Sequence, residues 1–127
     1  MWMGIKLDNG EDISLWEILP QDGTHYTFAT ILRKDGTQAV AYMEPCCDTA
    51  TDKWKSEKTG QNYPTKWNVV IPDYEIELEV ICVPAHQEIV SDVAVLNKYE
   101  AESIVTGTYK GKAVSGNCCV ELLGTWN

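Results

Sequence analysis

Lys66-Trp67-Asn68-Val69-Val70-Ile71-Pro72-Asp73-Tyr74-Glu75-Ile76-Glu77-Leu78-Glu79-Val80-Ile81-Cys82-Val83 decides the fold class. Ile76, Leu78, Val80 and Cys82 fall on one face of an extended chain, with Glu75, Glu77 and Glu79 on the other, which is the alternation of a half-buried strand. Trp67, Val69 and Ile71 give the preceding run its apolar face, and Pro72-Asp73 interrupts the pairing. The two runs predict a hairpin.

The same period of two continues in both directions, with turn signals about every 8–12 residues. Residues 4–7 and 12–19 flank Asp8-Asn9-Gly10-Glu11, whose Asn-Gly suits a type I′ turn. Gln21-Asp22-Gly23 leads into residues 24–32, and Lys34-Asp35-Gly36 turns the chain back through 37–44. Residues 45–63 are polar and hold one short strand around Trp54. Residues 90–96, 101–109 and 112–123 complete the set, with Lys110-Gly111 as the last turn. The reading is an all-β, antiparallel barrel or strongly curved sheet of eight to nine strands. Residues 12–19 are apolar on both faces, Ile13 and Leu15 opposite Trp16 and Ile18, so this strand is expected to be covered on both sides, by another domain or by a second copy.

At 127 residues the chain suits a single domain, 1–127, that buries roughly two thirds of its unfolded surface. No apolar run approaches the roughly 20 residues of a membrane helix, so no membrane insertion is expected. A formal charge of −9 argues against nucleic acid or an anionic membrane as partner and favours a neutral or cationic ligand. No charged segment followed by an apolar stretch opens the sequence; localisation stays open, with the cytoplasm favoured. Cys46, Cys47, Cys82, Cys118 and Cys119 include no C-x-x-C spacing, and His25 and His86 stand alone, so no metal is expected. Reduced thiols are favoured, one disulfide between Cys46/Cys47 and Cys118/Cys119 remaining open. With no G-x-S-x-G elbow, phosphate loop or dinucleotide fingerprint, no cofactor is expected either.

Among the aromatic residues, Trp2, Trp16 and Tyr26 are the candidates for lining a substrate pocket, since broad rigid faces hold a greasy molecule in one shape. Core filling is the commoner use of such side chains. His25 faces opposite Tyr26, so one of the two is expected to point inward, where a histidine can serve as acid or base.

A series of local patterns carries a resemblance. W-K-S-x-x-T-G-x-x-Y-P-x-x-W spans residues 54–67, followed by Ile71-Pro72, Gln87-Glu88 and Tyr99-Glu100-Ala101, then T-G-T-x-x-G-x-x-V-S-G-x-x-x-V-E-L-x-G over 106–124. Residues 3–10 also fit an opening F-S-x-Q-L-x-D-G strand. Together these resemble the carboxy-terminal lipocalin-like domain of the carotenoid 1,2-hydratase (hydroxyneurosporene synthase) and AttH family, to which fungal Diels–Alderases and kievitone hydratase are related.

The resemblance implies a lipocalin-like domain of a cofactor-independent enzyme that hydrates, cyclises or joins by cycloaddition a hydrophobic isoprenoid or polyketide. It also implies an amino-terminal lipocalin-like companion, which lies outside these 127 residues, with a second copy of the chain as the other candidate partner. Glu100 matches the glutamate of the family's W-E-G pattern and Glu88 that of its D-Q-E pattern. Either, if buried with a raised pKa, could protonate an alkene or polarise a carbonyl; a structural carboxylate is the plainer alternative. Two positions depart from the family. Met1 stands where an acidic residue implicated in catalysis is expected, and Cys119 replaces an aromatic. A non-catalytic binding module or carrier for a hydrophobic metabolite is therefore the alternative function.

Overall fold

In a computed structural model that describes residues 1–127, the alternation becomes one curled antiparallel sheet. Its strands are β1 (Trp2–Leu7), β2 (Asp12–Ile18), β3 (Tyr26–Leu32), β4 (Gln38–Ala41), β5 (Asp52–Lys55), β6 (Asn62–Ile71), β7 (Ile76–Cys82), β8 (Glu88–Ile89), β9 (Lys98–Tyr109) and β10 (Lys112–Leu122). They lie in the order β4-β3-β2-β1-β10-β9-β7-β6-β5, with β8 paired to β9. The sheet does not close, and β4 and β5 are its edges. A strap between them, residues 44–51, crosses the seam: Glu44 N–H donates to Val70 O at 3.0 Å and Thr51 N–H to Lys66 O at 3.1 Å.

The deciding stretch pairs as expected. Trp67 lies opposite Val80, Val69 opposite Leu78 and Ile71 opposite Ile76, so apolar side chains meet across the ladder and point to the interior. Pro72 opens a single 3₁₀ turn, and Glu75, at φ 49°, closes it by donating its N–H to Pro72 O. One turn and one strand differ from the sequence reading. Only Gly10 has a positive φ in residues 8–11, and its N–H bonds Leu7 O, so this hairpin uses a type I turn with a left-handed glycine in place of type I′. The last turn falls at Lys110-Gly111 as expected, and both residues are left-handed, as in a type I′ turn. Residues 90–96 are not a strand: pairing ends at Ile89, and Ala94–Leu96 is a 3₁₀ turn.

The interior is filled by one cluster of 26 buried apolar residues, among them Met3, Ile5, Ile13, Leu15, Ile31, Met43, Trp67, Tyr99, Val120 and Leu122. Two glycines of the 106–124 pattern let the sheet curl this tightly. A Cβ on Gly107 would overlap the carbonyl oxygen of Glu77, and one on Gly116 that of Lys6. All five cysteines are free, four of them buried.

Candidate functional site

Strand register decides which candidate residues meet. Trp16 on β2 lies opposite Phe28 on β3 and Trp2 on β1; Trp2 lies opposite Glu121 on β10, and Glu121 opposite Glu100 on β9. Phe28, Trp16, Trp2, Glu121 and Glu100 thus form one row across five neighbouring strands. The phase of that row is outward, because Met3, Leu15, Ala29, Val120 and Ala101 take the inner phase. The aromatic pocket expected inside the barrel is instead an aromatic face on its outside. Alternation could not tell the two apart, since both phases of β2 are apolar; the interior is taken by aliphatic side chains.

The row is built. Trp16 and Phe28 stack with centroids 6.4 Å apart and 17° between planes, and Trp2 tilts against Trp16 at 6.3 Å. Trp2 lies over Gly4, where a Cβ would come 2.9 Å from its ring, and its indole N–H donates to Ser14 Oγ at 3.0 Å. Tyr26, opposite Ile18, extends the same face and is 56% exposed. At the other end, Lys98 Nζ holds Glu100 at 2.5 Å and Glu121 at 3.6 Å. Glu100 is about one-third exposed and ion-paired, so it is not the buried acid expected. Alongside the row, one outward step along β1, β10 and β9, lies a shallow groove of about 360 Å³ lined by Gly4, Lys6, Glu100, Glu102, Asn117 and Cys119. Burial, then the charges of Glu100, Glu121 and Glu102, raise the Cys119 thiol pKa, which disfavours its thiolate.

His25 lies elsewhere, at one mouth of the barrel. Its Nδ1 is 2.6 Å from Glu17 Oε1 and its Nε2 is 3.2 Å from Asp48 Oδ2, so both ring nitrogens are engaged by carboxylates. Hydrogen bonding to Glu17 raises its pKa against the opposing effect of burial. Glu17, wholly buried at the end of β2, also accepts the N–H groups of Cys46 at 2.9 Å and Cys47 at 3.0 Å. Burial pushes its carboxyl upward, but those two N–H groups and His25 outweigh it and leave the pKa below the usual value. His25 is a clamp that holds the strap to β2, and it does not reach the aromatic row. Sequence reasoning missed Glu17; its signal is a lone acid in phase with Ile13 and Leu15.

Glu88 occupies a third place, on β8 opposite Tyr99 of β9. One carboxylate oxygen accepts Ser56 Oγ–H at 2.5 Å; the other accepts Thr59 Oγ1–H at 2.5 Å and Tyr63 O–H at 2.9 Å. Burial raises its pKa, and the three hydroxyls more than reverse this. Burial and the bond to Glu88 push the Tyr63 hydroxyl up to about 12. Ser56, Thr59 and Tyr63 are the S, T and Y of the 54–67 pattern, so its spacing is that of three donors around one carboxylate. Beneath them Trp54, Tyr63 and Tyr99 stack, Tyr63 and Tyr99 at 4.9 Å. Lys55, His86 and Glu88 border a nook of about 310 Å³ there, outside the aromatic row. No group of three His, Cys, Asp or Glu side chains is placed to hold a metal ion, and no helix is long and apolar enough to cross a membrane.

Comparison with known proteins places this geometry in a family. The AttH-like family model matches residues 1–125. No curated protein matches the chain. Among solved structures, kievitone hydratase from Nectria haematococca is similar at a TM-score of 0.80 and 24% identity, over 98% of this chain and 40% of that one. A putative AttH protein from Nitrosomonas europaea is similar at 0.72 and 21% identity, over 98% of this chain and 38% of that one. The chain therefore spans about two fifths of each of those proteins. Matched from its first residue to within two of its last, and folded as these lipocalin-like structures are, the chain belongs to the AttH-like family.

Proposed function

We propose that this chain is a domain of a cofactor-independent enzyme acting on a hydrophobic isoprenoid or polyketide by hydration, cyclisation or cycloaddition. The ligand lies against the outer face, its apolar body on Trp2, Trp16 and Tyr26 and its polar end toward Glu100, Glu121 and Lys98. The observation that carries this reading is the single transverse row, which runs from aromatic side chains to an ion-paired acid cluster in five strands. Such a row orients an amphipathic molecule along one axis. Positioning of this kind lowers a barrier by several kcal/mol when reacting atoms are held in contact. Glu100, which accepts from Lys98, acts as a hydrogen-bonding and electrostatic group, and the acid that protonates an alkene comes from the companion domain that completes the pocket. The hydratase among the structural neighbours supports hydration chemistry as the first to test.

Mass spectrometry of compounds extracted from the purified protein, followed by binding of a panel of neutral polyenes and isoprenoid alcohols read by tryptophan fluorescence, tests the reading. A bound or panel compound whose affinity falls at least tenfold in Trp16→Ala is expected. With the amino-terminal domain supplied, Glu100→Gln lowers turnover more than binding. No ligand, or binding indifferent to Trp2 and Trp16, overturns it. The pairing of Glu100 with Lys98 favours the second reading, a carrier that binds without chemistry. Turnover by the completed protein excludes that one.

A further inference from the structure

The outer face of β2, β3 and β4 differs from the rest of the surface. Its outward residues are Asp12, Ser14, Trp16 and Ile18, then Tyr26, Phe28, Thr30 and Leu32, then Gln38 and Val40, with Tyr42 following. Asp12 is the one charged residue in this set, and Lys6 pairs with it at 3.1 Å. In a chain with 29 charged side chains, 19 acidic and 10 basic, a three-strand face so free of charge is a distinct surface. Trp16, Ile18, Tyr26, Phe28, Val40 and Tyr42 are each 39–74% exposed. At about 150–250 Å² for a large side chain, these fractions leave roughly 600–700 Å² of apolar contact surface. That exceeds the ~300–600 Å² of the largest patch on an ordinary monomer, and it approaches the ~800 Å² that each partner gives to a standard interface.

We infer that this face binds a second copy of the same chain, two copies packing outer face to outer face with a two-fold axis over β3. In that arrangement β2 of each copy crosses β4 of the other, and Phe28 sits near the axis. The isologous contact is apolar on both sides, and the carboxylates of β9 and β10 fall outside it, so two chains of charge −9 meet where neither carries unpaired charge. β4 is a free edge four residues long, and the contact covers its exposed Val40. Trp2, one strand beyond β2 and packed over Gly4 at the border of the groove, then stands beside the partner copy's Val40 and Tyr42, which supply a wall that the groove lacks in one copy. Dimerisation stands on the face alone and takes up Trp16 and Tyr26, so a ligand in the dimer keeps Trp2 and the neighbouring groove; its enclosure there rests also on the functional reading above, and in the monomer the ligand and the second copy compete for Trp16 and Tyr26.

Light scattering and sedimentation of the purified chain over a wide concentration range test the contact. The expected mass is twice 14.2 kDa, falling to 14.2 kDa in Val40→Glu and in Phe28→Glu. Ile104→Glu, an exposed apolar residue on β9 away from this face, serves as control and stays dimeric. Far-UV circular dichroism and the melting transition separate a folded monomer from an unfolded variant, and Val40, at an exposed edge, tolerates charge without unfolding. A monomeric wild type at every concentration overturns the inference and leaves the face to a companion domain or another protein. Folded Val40→Glu and Phe28→Glu proteins that remain dimeric overturn it as well, since the contact is then elsewhere. A dimer that yields no ligand and binds none of the panel upholds the contact while overturning the functional reading.

Discussion

Glu17 and Glu88 are two carboxylates with the same number of donors and different consequences. Glu17 is sealed at the barrel mouth by two backbone N–H groups and an imidazole, while Glu88 is half-buried among three hydroxyls. Glu88 is announced by a pattern of spaced hydroxyl residues; Glu17 is announced by nothing but its phase. The difference teaches that a recognisable motif marks where side chains bind one another, whereas a group that binds backbone leaves its partners free to vary in type. It also separates the two energetically, because backbone N–H groups stranded in a dry site cost more than hydroxyls that can turn to water.

Removing Glu17 tests the dearer site first. Glu17→Ala leaves the N–H groups of Cys46 and Cys47 without partners in a buried place and takes from His25 the carboxylate on its Nδ1, and is expected to cost about 3–5 kcal/mol in urea unfolding. A loss below about 1 kcal/mol, on the scale of an exposed pair, would erase the contrast between the two sites. Glu88→Gln keeps the site's volume and removes its charge, and the expected loss is about 1–2 kcal/mol. Tyr63→Phe, which deletes one of the three donors, is expected to cost about 1 kcal/mol in the same measurement, and less when combined with Glu88→Gln than the two separate losses added together.

Acidity distinguishes the sites in sign as well as size. His25 binds its proton more tightly when folded, so its contribution is complete below its ordinary value of 6.5 and fades as pH rises through the raised folded pKa. Glu17 binds its proton more weakly when folded; its contribution is complete above 4.5 and fades as pH falls through the lowered folded pKa. The clamp is whole between about pH 4.5 and 6.5. The Glu88 cluster, with a lowered carboxyl, has an acid limb, and its alkaline limb, from Tyr63, begins only above about pH 10, outside the range in which His25 titrates. His25→Gln should therefore flatten the alkaline side of the stability profile, read as melting temperature against pH, and leave the acid limb due to Glu88 in place. An unchanged alkaline limb would show that the imidazolium does not hold the strap.

Much of the fold was legible in the sequence, and the reasons are local. In β6 and β7 one phase is apolar and the other acidic or polar, so facing and register follow from composition. Gly10, Gly36 and Gly111 marked turns because left-handed backbone asks for glycine there. The resemblance carried by residues 54–67 and 106–124 also located its own physical basis, three hydroxyls on Glu88 and two close strand approaches at Gly107 and Gly116. In β2 the same logic fails. Ile13 and Leu15 compete on equal terms with Trp16 and Ile18, and only register with β1, where Met3 and Ile5 oppose Trp2 and Lys6, settles which phase is inside. The site inherited that ambiguity: Trp2, Trp16 and Glu100 were named from sequence, but their alignment on one outer row depends on strand pairings, one of which, β1 with β10, joins residues over a hundred apart. Lys98 and Glu121 had no signal before those pairings were known.

The ladder between β1 and β10 sets an order of events during synthesis. Trp2 pairs with Glu121 and Leu7 with Gly116, so the opening strand of this sheet waits for its closing one. Until residues near 122 leave the ribosome, Met3, Ile5 and Leu7 have β2 on one side and a bare edge on the other, and the aromatic residues beside them are available to any nascent neighbour. Contacts so distant in sequence are slow to form, and an exposed strand edge invites pairing with another chain. A chaperone that shields residues 1–40 would therefore be expected to raise the yield of folded protein more than one acting once residue 122 has emerged.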